Sequence, residues 1–201
     1  MIREVKTIVA LLLKRPITEE IAMQVGQIPG YKKLEIADGN WILDSDKDDD
    51  DVTTGEEHGW IESILLILLG SHVIANKLGR VYPGDVTFVL QGDASDIRQQ
   101  REPDVSFVKQ ENVTPSQGFI YGAPDLAVEI VSPSQSEAEM AAKAQDYFRF
   151  GTQVVWLVFP RQKTIQVHTP TNVHTYGMGE MIPGGELLPG FSLSVAQVFE
   201  M

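Results

Sequence analysis

The sequence predicts an α/β fold, built on a central strand covered on both sides and closed by a C-terminal β meander. Three observations carry this. Leu126–Val131 alternates with strand period, yet both of its faces are apolar apart from Glu129, the pattern of a strand inside a covered sheet. Ser136–Gly151 then reads as a capped amphipathic helix, and Gln153–Phe159 as a nearly continuous apolar strand. Lys163–His168 and Val173–Tyr176 follow as the strands of the terminal meander.

The whole-chain numbers narrow the function. At 201 residues the chain fits one domain with a substantial core, and neither a repeat nor a low-complexity linker divides it. Cysteine is absent, which excludes a disulfide framework and thiolate chemistry and suits a reducing, cytoplasmic setting. The run Ile8–Leu13 lacks the small-residue cleavage site of a signal peptide. The longest apolar run, Ile64–Leu69, falls far short of the roughly 20 residues that cross a membrane, so no membrane association is expected. Sixteen basic residues against 28 acidic ones give a net charge of −12. That balance opposes a large phosphate-tracking surface, because affinity for nucleic acid comes mostly from Lys and Arg.

In chain order, residues 1–14 fit helix or strand equally. Thr18 caps a short helix to Gly26, with Glu19 and Glu20 in its first turn, before Pro29–Gly30 breaks the chain. Tyr31–Ala37 and Asn40–Asp44 flank Asp38–Gly39, a hairpin signal. Asp44–Asp51 holds six aspartates and one lysine. As a calcium loop it fails, with Asp49 where the sharp turn needs Gly and Gly55 where the final ligand should be Glu; it reads as a solvated loop or hairpin end.

Glu56 to about Leu78 is the strongest helix, ended by Gly79. Ile61, Ile64, Leu65, Leu68, Leu69 and His72 make one stripe, and Leu66 and Ile67 widen it, which predicts burial on more than one side. Near its start, His58 and Glu62 are i,i+4 neighbours and read as an exposed hydrogen-bonded pair rather than a metal site. Val81–Leu90 alternates like one strand, Gln91–Gln100 reads as a polar loop, and Asp104–Val108 as a strand with Asp104, Ser106 and Val108 on one face. Glu111–Gly122 reads as a loop, Met181–Gly190 as turn-rich, and Val195–Phe199 as a short final helix. His72, His168 and His174 read as core or edge histidines, and no phosphate-binding Gly-rich loop or Ser-His-Asp order is present.

Glu129 requires a partner, because a carboxylate inside a central strand is costly unless paired or bound to a metal. The following helix carries one candidate. Ser136 and Glu139 have the spacing of a capping box, and Met140, Lys143, Ala144, Tyr147 and Phe148 form the apolar face, with Lys143 inside it. Three strand steps from Glu129 to Ser132 span roughly 10 Å, and seven helical steps from Ser136 to Lys143 span roughly 10 Å. A helix folding back along its strand would bring the two side chains abreast. Two readings stay open on these residues: that pairing, or a surface ion pair of Lys143 with Glu139.

Several stretches together resemble a known family. They are Asp38–Gly39 after Leu34–Glu35–Ile36; Pro103–Asp104–Val105; Ala123 to Ser134, which contains Pro124–Asp125 and Glu129; Lys143, Tyr147 and Gly151 at four-residue steps; Val155–Trp156–Leu157–Val158; and Leu188–Pro189–Gly190–Phe191. This set resembles the Uma-two family of restriction endonucleases, from about Tyr31 to the C-terminus. Residues 1–30 are left as a loosely matched N-terminal extension of one nuclease-like domain, 1–201.

The resemblance implies the PD-(D/E)xK nuclease superfamily, with a restriction-endonuclease-like mixed β-sheet flanked by α-helices. It implies Asp104 as the motif aspartate and Glu129 as its acidic partner. The usual lysine position holds Val131, so the resemblance implies a lysine moved to the next helix, Lys143. Tyr147, Glu35 and His58 fall on family-typical positions as supporting residues. A Mg2+ ion held by Asp104 and Glu129, replaceable by Mn2+, is implied, along with DNA as substrate. A homodimer is expected separately, since pairing would gather the scattered Arg80, Arg98, Arg101 and Lys109 around a cleft.

Three functions compete. The first is a Mg2+-dependent endonuclease hydrolysing phosphodiester bonds in DNA. The second is a non-catalytic protein-interaction module that keeps the nuclease fold, with Glu129 and Lys143 as a structural ion pair. The third is a hydrolase of small phosphoesters, which an acidic surface tolerates better than duplex.

Overall fold

The structure, a computed structural model, describes residues 10–28, 35–42 and 55–200. The acidic run at 44–51 and the hairpin flank at 31–34 lie outside the described residues. In chain order, α1 (Glu19–Gly26) precedes β1 (Glu35–Ala37), β2 (Asn40–Ile42) and α2 (Glu56–Asn76). Next come β3 (Gly79–Pro83), β4 (Phe88–Asp93), β5 (Asp96–Arg101), β6 (Val105–Lys109) and β7 (Ile120–Tyr121). The chain continues through β8 (Leu126–Ile130), α3 (Glu137–Arg149), β9 (Val154–Phe159), β10 (Thr164–Thr169) and β11 (Asn172–Tyr176). It ends with β12 (Met181–Pro183), β13 (Ser192–Ser194) and α4 (Val195–Phe199).

These elements form two compact units. The first comprises Met1–Val52, Thr87–Glu102 and Ser116–Gly122. Its sheet has the order β2-β1-β5-β4-β7, antiparallel except for β4 against β7. Asp38 and Gly39 both take positive φ, 49° and 71°, as a two-residue hairpin turn demands. Ile17, Ala22, Ile36, Val89 and Ile97 form its core.

Two expectations about this region are corrected. The single strand read over Val81–Leu90 is two strands, β3 and β4, separated by a turn at Gly84 and Asp85; apolar residues on both sides masked the Pro83–Gly84 punctuation. The polar loop read over Gln91–Gln100 is a hairpin of β4 and β5. Gln99, Gln100 and Arg101 are buried there, and Arg101 Nη1 donates to the carbonyl oxygens of Ile36 at 3.1 Å and Gln100 at 2.9 Å. Polar composition signals a loop only when the side chains meet water; here they meet each other and the backbone.

The second unit comprises Thr53–Val86, Pro103–Pro115 and Ala123–Met201. Its main sheet has the order β11-β10-β9-β8-β6-β3, with β12-β13 as a separate ribbon. Only β8 and β9 run parallel in it, and α3 is the connection between them. All five residues of β8 are buried. Leu126, Val128 and Ile130 join a core that contains Ile61, Leu65, Leu69 and Val73 of α2.

The i,i+4 stripe of those four residues is the buried face of α2. Burial on more than one side is not what forms: Leu66 and Leu68 are half-buried against the core, but Ile67 is 59% exposed and Ile74 76% exposed. A helix apolar all round gives no phase from its sequence, so the sheet selects the face. The helix stops at Asn76 with Lys77 as a left-handed cap, φ 55°. Gly79 then enters β3 at φ 152°, where an added Cβ would lie 2.0 Å from the Val108 carbonyl oxygen.

Helix α3 starts as read from the sequence. Ser136 accepts from the Glu139 N–H, and the Glu139 carboxylate accepts from the Ser136 N–H at 2.7 Å. The Ser136 hydroxyl also donates to that carboxylate at 2.7 Å, and this bond, with the backbone one, holds the Glu139 carboxyl below the ordinary glutamate pKa. Met140, Ala144 and Tyr147 are its buried residues.

Two outcomes are expected. Gly79→Ala should destabilise the protein by at least about 2 kcal/mol in urea unfolding, because it adds both a backbone clash and an unfavourable φ. The folded Glu139 carboxyl titrates below its unfolded counterpart, so its stabilisation is complete above the unfolded pKa and is lost as pH falls through the folded one. Glu139→Ala should therefore be less stable than the parent at neutral pH, and the gap should narrow in acid; a pH-independent gap would contradict the capping account.

Candidate active site

Glu129 lies on the strand face opposite Val128 and Ile130, and is 5% exposed. Its two oxygens take different partners from one helix. Lys143 Nζ donates to Oε2 at 2.9 Å, and the Tyr147 hydroxyl donates to Oε1 at 2.7 Å. Lys143 and Tyr147 are i,i+4 on α3 and so project along one stripe. Of the two readings left open for Lys143, the structure takes the pairing with Glu129, while Glu139 is engaged by Ser136.

Asp104 immediately precedes β6, which pairs antiparallel with β8 through Val105 and Val128. One step outward along both strands sets Asp104 beside Glu129. The Ile130 N–H donates to Asp104 Oδ2 at 2.7 Å, and His58 Nε2 lies 3.3 Å from Oδ1. His58 comes from the first turn of α2, so its expected pairing with Glu62 is corrected. Glu62 instead accepts the backbone N–H of Gly84 at 3.1 Å. Helical spacing identifies neighbours along a helix, and is silent about the strand lying against its first turn.

Asp104, His58, Glu129, Lys143 and Tyr147 are therefore gathered within the second unit. Glu35 belongs to the first unit, where its Oε2 faces Arg101 Nε at 3.5 Å. The buried Arg101 was missed by sequence reasoning, since an arginine in a polar stretch carries no signal of burial.

The two Pro–Asp pairs also separate here. Asp125 accepts from the Lys109 N–H at 2.8 Å, from Asn112 Nδ2 at 3.0 Å and from Gln153 Nε2 at 2.8 Å. It ties a loop to two strands. Asp104 instead faces His58 and the Glu129 cluster.

The donor set can be tested against a magnesium ion. Two carboxylates on adjacent strands are hard oxygen donors, and Mg2+ usually takes only one or two from a protein, keeping waters for the rest. Ser106, on the same strand face as Asp104, has a fully buried hydroxyl without a hydrogen-bond partner among the described residues. Among the described residues no group of three His, Cys, Asp or Glu side chains is placed to hold a metal ion. The two carboxylates are the donor type that magnesium takes, and each of their four oxygens already has a partner within the protein.

The hydrogen bonds to a buried carboxylate set the stability cost of removing them. Tyr147→Phe and Lys143→Met should each lose about 1.5–3 kcal/mol in urea unfolding. Combining either with Glu129→Gln should cost less than the sum of the single losses, because the residues share one interaction; strict additivity would mean they act separately.

A crystal structure described as "a putative nuclease belonging to DUF820" from Anabaena variabilis has this fold, with a TM-score of 0.71. The match covers 92% of this chain and 98% of that one at 21% identity. It bears out the mixed α/β architecture with helices flanking the sheets. No curated protein matches the chain. The family model Uma2, described as "Putative restriction endonuclease", matches residues 32–196. Since that span runs from the first hairpin to the last helix and takes in His58, Asp104, Glu129, Lys143 and Tyr147, the chain belongs to the Uma2 family.

Proposed function

We propose that this protein is a Mg2+-dependent endonuclease hydrolysing phosphodiester bonds in DNA, through the Asp104–Glu129 carboxylate pair and the helix-borne Lys143. The observation that carries the reading is the buried Glu129 carboxylate, bonded by Lys143 at 2.9 Å and Tyr147 at 2.7 Å beside Asp104. Membership of a family described as restriction endonucleases supports the reaction class and the substrate.

Asp104 and Glu129 would hold the ion, with Mn2+ able to replace it. When bound, Mg2+ would offset charge on the phosphate and lower the pKa of a coordinated water. The remaining tasks fall to side chains. Lys143 would orient the attacking water or stabilise charge developing on the phosphate oxygens. Tyr147 fixes the rotamer of Glu129, and His58 with the Ile130 N–H fixes that of Asp104. A net charge of −12 restricts the duplex contact to a small footprint.

One observation favours a second reading. All four oxygens of the two carboxylates already have partners inside the protein, as a structural ion pair in a non-catalytic protein-interaction module would.

Cleavage and binding separate the two. On the nuclease reading, Asp104→Ala and Lys143→Met each reduce metal-dependent cleavage of plasmid DNA by about a hundredfold or more, and Asp104→Ala also removes the calorimetric signal of Mg2+ binding. Undiminished cleavage by either variant removes the mechanism. A parent that neither binds Mg2+ nor cuts DNA selects the module.

A further inference from the structure

We infer that Lys143 is a built-in competitor for the metal ion: its ammonium and Mg2+ take the same Glu129 oxygen in turn, so that loading the site and releasing the lysine are one event. The inference rests on the reading of Asp104 and Glu129 as the metal pair, and concerns how that pair is controlled.

The partners of the two carboxylates differ in kind. The Ile130 N–H and the Tyr147 hydroxyl are neutral donors, to Asp104 Oδ2 at 2.7 Å and to Glu129 Oε1 at 2.7 Å. His58, 3.3 Å from Asp104 Oδ1, carries charge only when protonated. Lys143 brings a full positive charge to Glu129 Oε2 at 2.9 Å. A neutral donor and a metal ion can share a carboxylate, because the donor orients the group without opposing the ion. An ammonium and a divalent cation on one oxygen are like charges at close range. Their repulsion is poorly screened here, since Glu129 is buried. Lys143 is therefore the partner that a bound ion has to displace.

The lysine is placed for exchange. Its side chain is 19% exposed, so the stem leads from the buried carboxylate toward water. A flexible four-carbon stem lets the ammonium leave without disturbing Met140, Ala144 and Tyr147, the buried residues of α3. Tyr147, one helical turn further on, stays on Oε1 and keeps the carboxylate aimed. Once off Oε2, the amine is free to face a phosphate, so the residue that guards the site is also the one that acts on the substrate. On Oε2, it keeps a buried carboxylate from being left without a counter-charge, which would be costly. The fully partnered carboxylates thereby have a place in the nuclease reading.

Calorimetric titration of the full chain with MgCl2, without DNA, tests this. Lys143→Met should bind Mg2+ at least about tenfold more tightly than the parent, although it cuts poorly. Lys143→Gln is a second neutral variant, with the same tightening expected should Lys143→Met fail to fold. Lys143→Arg keeps the charge and should bind no better than the parent. Tyr147→Phe removes a neutral bond from the same carboxylate and should not tighten binding, which separates loss of charge from loosening of Glu129. Circular dichroism checks that each variant is folded at the titration temperature. A parent that binds Mg2+ as tightly as the neutral variants overturns the competition and leaves the metal pair standing. Equal tightening in Tyr147→Phe or Lys143→Arg overturns it as well. Mg2+ binding by neither the parent nor the neutral variants overturns the metal pair itself, and the inference with it.

Discussion

The Glu129 carboxylate is buried in the middle of a six-stranded sheet, and the local architecture follows from how its charge is met. Both of its oxygens are bonded from α3, by Lys143 and Tyr147. For those residues to arrive, the helix must begin soon after β8 and run back along it. The Ser136 capping box fixes the start, and Gly151, at φ 105°, lets the chain turn into β9 beside β8. Strand, helix and returning strand thus form one device for solvating a charge without water. Apolar residues of similar volume would hold the sheet as well or better, so packing alone gives no reason for three polar groups at this position.

Two Pro–Asp pairs show how environment separates identical motifs. Asp125 is saturated by donors from Lys109, Asn112 and Gln153, which makes it an anchor for the chain between β6 and β9. Asp104 stands at the mouth of β6, where its backbone partner across the ladder is the segment that carries Glu129. Antiparallel pairing puts directly opposed side chains on one face. The closeness of the two acids is thus a consequence of register, and a one-residue slip of β6 would send Asp104 to the other face.

Helix α2 serves the second unit in two ways. Its first turn brings His58 to Asp104, and its Ile61–Leu65–Leu69–Val73 stripe closes the core over β8. Packing of the stripe therefore also sets the position of a site residue. The acidic balance of the chain bears on partners more than on fold. It disfavours broad contact with a polyanion.

Much of the local structure was written in the sequence. The Asp38–Gly39 turn, the Ser136 cap, the β8 and β9 strands, the terminal meander and the short last helix all follow from propensity, periodicity and turn chemistry acting over a few residues. The approach of Lys143 to Glu129 was one of two readings that the residues left open, and the fold selected it over the pairing with Glu139. What the tertiary structure decided depends on distant partners. It chose which face of an apolar α2 is buried, turned His58 from Glu62 toward Asp104, and folded the polar stretch before Arg101 into a buried strand through hydrogen bonds to Ile36 and its neighbours. It also gave Asp104 and Asp125 different environments. Sequence fixes the local choices because their energies come from adjacent residues; burial, pairing and the environment of a charge come from chain segments that only the completed fold brings into contact.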